Sequence, residues 1–255
     1  MYNSEKKEIR SYIITMNRLF GNPVAVMLLL FMAYSSFRSG AFNDPKTWLM
    51  QELIILPGII VGLSFHEYAH ALAAYKLGDI TPKLQNRLTI NPAAHIDPVG
   101  FIALLFVGFG WGRPVEINPR NFKNMRRDEF IVSIAGVVMN LLLAIIFSVI
   151  LAVYFRTVGL YWGMGDMKSI IGLVIYYCIY INFVLMVFNL LPIPPLDGFN
   201  VVTELFDLRK YDWWYTIYQY GSIILIGLIL LNFTDRIMTP ILEHLMTLAG
   251  LIFMP

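Results

Sequence analysis

The sequence predicts an all-α polytopic membrane protein with about five to six transmembrane helices. Hydrophobic residues make up 58% of its 255 residues and charged residues only 14%, whereas soluble domains contain roughly 45–50% apolar and about 25% charged residues. A soluble chain of this length could not bury so much apolar surface, so most of it is expected to face lipid. The net charge of +2 gives no indication of nucleic-acid binding, and the single cysteine, Cys178, excludes an internal disulfide or a cysteine zinc cluster.

Apolar segments along the chain give the order of the predicted helices. A helix needs about 20 apolar residues to cross the hydrocarbon core, and the candidate spans lie at about 21–38, 53–77, 130–155, 170–191 and 215–232. The apolar tail at 237–254 has two interpretations, a last span or an amphipathic helix on the membrane surface. No repeat or linker divides the sequence, which therefore predicts one integral membrane domain over residues 1–255.

The segment at 101–111 is apolar, but it is too short and too rich in glycine to be a good spanning helix. Basic residues mark the cytoplasmic side of membrane proteins, and those before the first span predict a cytoplasmic N-terminus. The basic cluster from Arg113 to Arg127 stays on that side only if 101–111 dips into the membrane and returns. We therefore expect a re-entrant or short β segment here, with irregular backbone or short strands over 78–127.

The stretch LSFHEYAHALA, residues 63–73, places three ionisable side chains inside an apolar segment. His66 and His70 are four residues apart, so on a helix both imidazoles project from one face, as two ligands of a tetrahedral zinc ion do. Glu67 lies beside them as a candidate general base, and this pattern is typical of zinc metalloproteases. A chance grouping of polar residues is the alternative. It is disfavoured because ionisable groups in a membrane segment cost roughly 2.5–3.5 kcal/mol each.

A catalytic zinc site needs a third protein ligand, and Asp197 is the candidate. It lies in FNLLPIPPLDG, residues 188–198, directly after a predicted span. The three prolines of this stretch prevent a regular helix, and Gly198 permits close approach of the backbone or a positive φ. Considered alone, PLDG is better explained as a turn at the end of a helix.

Together these motifs resemble the site-2 protease family of intramembrane zinc metalloproteases, peptidase family M50, in a short form without an appended PDZ or CBS domain. The resemblance covers residues 62–200, and it rests on HEYAH at 66–70, IAGVVMN at 134–140 and FNLLPIPPLDG at 188–198. It implies a three-helix catalytic core over about 53–200, with one Zn²⁺ per chain held by His66, His70 and Asp197. Glu67 would activate the water. The family commonly has proline where this chain has Val137.

Four further residues are candidates for contact with substrate. The resemblance implies that Asn140, on the helix between the two metal-bearing segments, holds the substrate backbone or the oxyanion. An unwound substrate could add as a strand to the re-entrant segment, which would place Gly108 and Gly110 in the substrate site. His95 has three interpretations: a hydrogen-bonded loop histidine, a substrate-binding or gating residue, or a further contact to zinc.

The function expected from these features is zinc-dependent hydrolysis of peptide bonds in or near transmembrane segments of membrane-protein substrates. Two alternatives remain, a zinc-binding membrane transporter or sensor and an inactive relative that binds membrane proteins without cleaving them. The expected partners are such substrates and the lipid bilayer, with no nucleic acid, and the sequence leaves the oligomeric state open. The expected location is a prokaryotic plasma membrane, with the active site toward the cytoplasm.

Overall fold

A computed structural model describes residues 43–107, 110–159 and 167–253, together with isolated positions between residues 26 and 40. The predicted span at 21–38 therefore lies mostly outside the described residues. Within the described residues from 43 onward the chain is helical and contains no strand. The helices are α1 (Pro45–Lys76), α2 (Thr81–Leu84), α3 (Pro92–His95), α4 (Pro98–Val107), α5 (Met125–Val158), α6 (Met167–Asn189), α7 (Asp197–Phe206), α8 (Asp212–Leu230) and α9 (Phe233–Phe253), with 3₁₀ helices at Pro119–Asn121 and Leu208–Lys210.

Four helices of the described chain, α1, α5, α6 and α8, are long and apolar enough to cross a membrane. They correspond to the spans predicted at 53–77, 130–155, 170–191 and 215–232, so the prediction of an all-α polytopic membrane protein is confirmed. Helices α1 and α5 begin earlier than predicted because side chains cap them. Asp44 accepts a hydrogen bond from the Thr47 N–H at 3.3 Å, and Asn124 accepts one from the Arg127 N–H at 3.3 Å.

Helices α1, α5 and α6 pack against one another and form a three-helix core. Two glycines on α1 allow its closest approach to α6. A Cβ on Gly58 would lie 3.0 Å from the Tyr177 carbonyl oxygen, and a Cβ on Gly62 would lie 2.6 Å from the Leu185 Cδ1 atom. Small residues at helix interfaces are a common means of association in membranes. Here they fix α1 against α6 in the turns that precede His66.

Helix α5 has one buried face and one exposed apolar face. The buried face packs into the main hydrophobic core through Val137, Ala144 and Leu151. The exposed apolar side chains recur at helical spacing and are Val138, Leu141, Leu142, Ile145, Ile146, Val149, Ile150 and Val153. A continuous apolar stripe of this length is expected to face lipid. The helix therefore carries core contacts on one side and the membrane surface on the other.

Between α1 and α5, the stretches of chain before and after α4 lie next to each other. Ile96 and Gly112, on either side of α4, form an isolated antiparallel bridge, and the Arg113 N–H donates to the His95 carbonyl at 2.7 Å. This geometry agrees with the predicted re-entrant course. The prediction of irregular backbone or short strands over 78–127 is partly wrong, because α2, α3 and α4 are helical. Each has a proline at its start, a position that proline favours.

The apolar tail forms helix α9, which packs against α5 and α6. Met238, Leu242 and Ala249 on α9 join the main hydrophobic core. Asn232, with φ 54°, makes the short turn that leads from α8 into α9. The tail is therefore part of the helical bundle.

Candidate metal centre

Three side chains from two helices converge beside α5. His66 and His70 lie one turn apart on α1 and are buried, and Asp197 is the first residue of α7. The two Nε2 atoms are 3.0 Å apart. The Asp197 Oδ2 lies 3.1 Å from the His66 Nε2 and 3.2 Å from the His70 Nε2. In the part of the chain that the structure describes, these residues form the one group of three His, Cys, Asp or Glu side chains arranged to hold a metal ion.

The spacing of the three donor atoms suits zinc. Ligands of a tetrahedral zinc ion lie about 2.0–2.1 Å from the metal, which places them about 3.3 Å from one another. The separations here are 3.0, 3.1 and 3.2 Å. Two imidazole nitrogens and one carboxylate oxygen form a common donor set of catalytic zinc sites, which keep the fourth position for water or substrate. The residues therefore fit the metal that the sequence predicts.

Hydrogen bonds to the other ring nitrogens show which atoms are left for a metal. The His70 Nδ1 lies 2.7 Å from the Val132 carbonyl oxygen, which can only accept, so Nδ1 carries the proton. The His66 Nδ1 likewise donates to the Asn140 Oδ1 at 2.7 Å. Both Nε2 atoms therefore present lone pairs. The Asp197 Oδ2 is buried without a hydrogen-bond donor, and three acceptors that face one another in this way are stabilised by a cation.

Gly136 on α5 makes room for the two imidazoles. A Cβ at this position would lie 2.5 Å from the His66 Cε1 and 2.5 Å from the His70 Nε2. No side chain fits there without displacing a ring. Val137, at the position where proline is common in the family, is buried in the core, and α5 passes through it without a break.

The backbone around Asp197 is folded tightly onto the end of α6. A Cβ on Gly198 would lie 2.2 Å from the Leu190 carbonyl oxygen, so the glycine is required for close approach. Three prolines, at positions 192, 194 and 195, keep the stretch before Leu196 out of helical conformation. Helix α7 then begins at Asp197 and packs against α5. This turn carries the carboxylate back to the histidines of α1.

Glu67 lies one residue after the first histidine and is half-buried. Its Oε2 accepts a hydrogen bond from the Val115 N–H at 3.1 Å. Val115 belongs to the non-helical stretch that follows α4. The carboxylate is therefore held beside the metal centre by backbone from another part of the chain.

The structure places the predicted substrate residues in different surroundings. Asn140 is fully buried and contacts His66, and no part of it is exposed to an incoming chain. His95 is also fully buried, outside the metal group, and its Nε2 donates to the Thr89 carbonyl at 2.6 Å. Gly110 packs against α4, where a Cβ would lie 2.1 Å from the Gly100 carbonyl oxygen. Gly108 lies outside the described residues.

Sequence reasoning missed two contributors to the site. Gly136 was visible only as part of a motif, because its contact with both imidazoles depends on how α5 is rotated. Asn182 on α6 was not singled out. It is fully buried and bonded to Asn140, and its signal was an amide side chain in the interior of an apolar span.

Comparison with known proteins gives consistent matches. The sequence model of peptidase family M50 matches residues 157–231, which include Asp197. The protein named "Putative zinc metalloprotease YwhC" of Bacillus subtilis is 39% identical over 214 residues, covering 81% of this chain and 94% of its own length. The protein named "Putative zinc metalloprotease Rip2" of Mycolicibacterium smegmatis is 27% identical over 165 residues, covering 62% of this chain and 59% of its own length.

No solved structure matches the chain. The match to the Bacillus protein covers nearly the whole length of that protein. The helical fold and the group of His66, His70 and Asp197 agree with this similarity. The chain belongs to peptidase family M50, the site-2 protease family of membrane metalloproteases.

Proposed function

We propose that the chain is a zinc-dependent endopeptidase that cleaves membrane-protein substrates in or near their transmembrane segments. The observation that supports this most strongly is the convergence of His66, His70 and Asp197 on helices of a membrane bundle, with Glu67 beside them. Ionisable groups are costly at such a place. The names of the relatives point to the same class of enzyme.

The roles of the side chains follow from their positions. His66 and His70, through Nε2, and Asp197, through Oδ2, would hold one Zn²⁺ per chain. When bound there, zinc polarises the scissile carbonyl and lowers the pKa of water. Glu67 takes the proton from the attacking water and later delivers a proton to the leaving amine. The Val115 N–H holds the Glu67 carboxylate in place through Oε2.

The non-helical backbone beside Glu67 is the candidate binding site for the substrate. A helical substrate hides its peptide bonds in its own hydrogen bonds, so it must unwind before cleavage. Residues 113–118 form no helix and carry Val115, which already contacts Glu67. We propose that an unwound substrate pairs with this stretch by strand addition, and that Gly110 supports it by close packing on α4.

Charge and composition support a proposal about the location of the protein. We propose a multi-pass protein of a prokaryotic plasma membrane, with its N-terminus and its metal centre toward the cytoplasm. Its partners are then the lipid bilayer and membrane proteins with transmembrane segments. Asp197 follows the end of α6, and His70 lies near the end of α1, so the three ligands share one end of the bundle.

Glu67→Gln tests the proposal. The amide keeps the size of the side chain but cannot take a proton, so we expect cleavage of a membrane-protein substrate to fall by at least about 100-fold. Zinc content should stay at one per chain, because Glu67 is not among the ligands. Asp197→Ala is the matched variant and should lose the zinc. Cleavage that survives Glu67→Gln would contradict the role of Glu67 as general base. A wild type that binds zinc but cleaves no substrate would favour a zinc transporter, sensor or binding protein, and a zinc-free wild type would exclude the metalloprotease.

A further inference from the structure

A chain of buried amides leads from the third core helix to a metal ligand. Asn182 on α6 and Asn140 on α5 are both fully buried. The Asn182 Nδ2 donates to the Cys178 carbonyl at 2.8 Å, and the Asn182 Oδ1 accepts from the Asn140 Nδ2 at 2.9 Å. The Asn140 Oδ1 in turn accepts from the His66 Nδ1 at 2.7 Å. The chain thus crosses all three helices of the core.

Each hydrogen bond in this chain has a fixed direction. A backbone carbonyl can only accept, so the Asn182 amide must turn its Nδ2 toward Cys178 and its Oδ1 toward Asn140. That oxygen can only accept, so the Asn140 Nδ2 faces it. The same nitrogen also donates to the Gly62 carbonyl at 3.2 Å. The Asn140 Oδ1 is therefore left for His66, and the His66 proton must lie on Nδ1.

We propose that Asn182 is a positioning residue that sets the tautomer of His66 through Asn140. The proposal rests on the proposed function, because it takes the His66 Nε2 as a zinc ligand. With its proton on Nδ1, His66 offers a lone pair at Nε2, which faces His70 and Asp197. His70 reaches the same state more directly, through the Val132 carbonyl. The two histidines thus share one tautomer but depend on different parts of the fold.

Loss of the Asn182 acceptor would free the Asn140 amide to turn over. Only the Gly62 carbonyl, at the longer distance of 3.2 Å, would then oppose the turn. A turned Asn140 presents its NH₂ group to the His66 Nδ1, which can accept only if the ring proton moves to Nε2. That proton blocks the ligand atom. Partners behind metal ligands typically contribute 10-fold to 100-fold to metal affinity, and we expect about tenfold for this more distant residue.

Three substitutions at position 182 separate this role from simple helix packing. Asn182→Leu keeps the size but removes the acceptor, and Asn182→Ala removes it with less crowding should the leucine variant fail to fold. Asn182→Asp keeps it, because a buried carboxylic acid stays neutral and can accept from Asn140 while it donates to Cys178. Ser148→Ala is the control. Ser148 is fully buried on α5 and bonds only its own helix, through the Ala144 carbonyl at 2.8 Å.

Two measurements on the full chain in detergent decide the question. Zinc affinity, from competition with a chelator, should fall about tenfold in Asn182→Leu and Asn182→Ala and stay near wild type in Asn182→Asp and Ser148→Ala. The ¹⁵N spectrum of histidine-labelled, zinc-free protein should show the His66 ring proton on Nδ1 in wild type, and partly on Nε2 in Asn182→Leu and Asn182→Ala. His66→Gln assigns the signal.

The outcomes separate this proposal from the proposed function. Wild type that binds no zinc overturns both. Wild type that binds zinc, with unchanged affinity and an unchanged His66 tautomer in Asn182→Leu and Asn182→Ala, overturns the role of Asn182 alone. Equal losses in Asn182→Asp and Asn182→Leu also overturn it, because only packing would then explain them.

Discussion

The imidazoles of His66 and His70 lie against a single glycine of α5, so the smallest possible side-chain addition tests the metal centre. In Gly136→Ala the new methyl group would lie 2.5 Å from atoms of both rings. Forcing an extra carbon into packed surroundings costs about 1–3 kcal/mol. We therefore expect zinc affinity to fall by about tenfold to a hundredfold, measured by competition with a chelator, while the protein remains folded.

Gly227→Ala is the matched control for this substitution. Gly227 also lies inside a membrane helix, α8, but a Cβ there would meet no atom within 4 Å. Alanine favours helix over glycine by about 1 kcal/mol, so both variants gain the same local preference. The control should keep the zinc affinity of wild type. Equal affinities in the two variants would show that the rings have room to move away from α5.

The site residues that can be predicted from the sequence are those whose type and spacing are typical of a metal site. His66, Glu67 and His70 stand out because their spacing is typical of a zinc site on a helix, and Asp197 because it is a carboxylate directly after a predicted span. The surroundings of Asn140 could not be predicted from the sequence, because its hydrogen bond with His66 depends on the rotation of α5 against α1. Spacing within one helix carries no information about such contacts, which arise only when helices pack.

Helix α7 links the third metal ligand to a buried charged cluster. Asp197 begins the helix, and Glu204 lies two turns later, where it is 6% exposed. The Arg209 guanidinium contacts Glu204 at 2.6 Å and also contacts Glu129 at the start of α5. Arg126, also on α5, donates to the Glu204 carbonyl. The cluster therefore fixes the far end of the helix that presents Asp197.

Glu204, in this cluster, is expected to make the stability of the folded protein depend on pH. Burial, and then the hydrogen bond with Glu129, raise the pKa of Glu204 to about 7 from the ordinary 4.5, against the opposing charges of Arg209 and Arg126. The folded protein therefore binds a proton that the unfolded chain releases. Stability from this group is present below about pH 4.5 and is lost as the pH rises from 4.5 to 7.

The measurement is the thermal unfolding temperature in detergent at pH 5 and pH 8. Glu204→Gln keeps a neutral side chain at both values, so its unfolding temperature should fall less than that of wild type between them. Glu243→Gln alters an exposed glutamate of α9 and should follow wild type. The same fall in all three proteins would contradict the assignment of the proton to Glu204.

The helices themselves differ in how well sequence predicts them. The long spans follow from hydropathy alone, and their bounds differ from prediction where Asp44 and Asn124 extend them as caps. Helices α2 and α3 have only four residues each, which is too short for a periodic pattern. Their stretch is rich in proline, and the sequence could not distinguish a proline that begins a helix from one that interrupts a strand.

Charged residues of α5, α7 and the stretch before α8 lie together at one end of the bundle. Arg126 on α5 contacts the backbone of Glu204 and Leu205, and Arg209, just before α8, contacts Glu129. The starts of α5 and α8 therefore lie together. Exposed aromatic side chains of α8 lie at the same end, as at a membrane interface, and are Trp213, Tyr215, Tyr218 and Tyr220. This distribution is the one that basic residues show on the cytoplasmic side.

A re-entrant α4 keeps the residues before and after it on one side of the membrane. The side chains of Gln85 and Glu116, which lie on opposite sides of the segment in sequence, are joined by a hydrogen bond of 2.6 Å. A segment that crossed the membrane would separate them by the thickness of the bilayer, about 30 Å. Sidedness on the two flanks of α4 therefore distinguishes a dip from a crossing.

Cysteine labelling in intact bacterial cells measures this sidedness. The native Cys178 is buried, at 4% exposure, and can stay as an unreactive background. An impermeant maleimide should label Lys168→Cys, at the start of α6, from outside. It should label Leu84→Cys and Lys123→Cys, on the two flanks of α4, only after the cells are permeabilised. Opposite sidedness of positions 84 and 123 would mean that α4 crosses the membrane, and the basic cluster before α5 would then lie outside, against the charge rule.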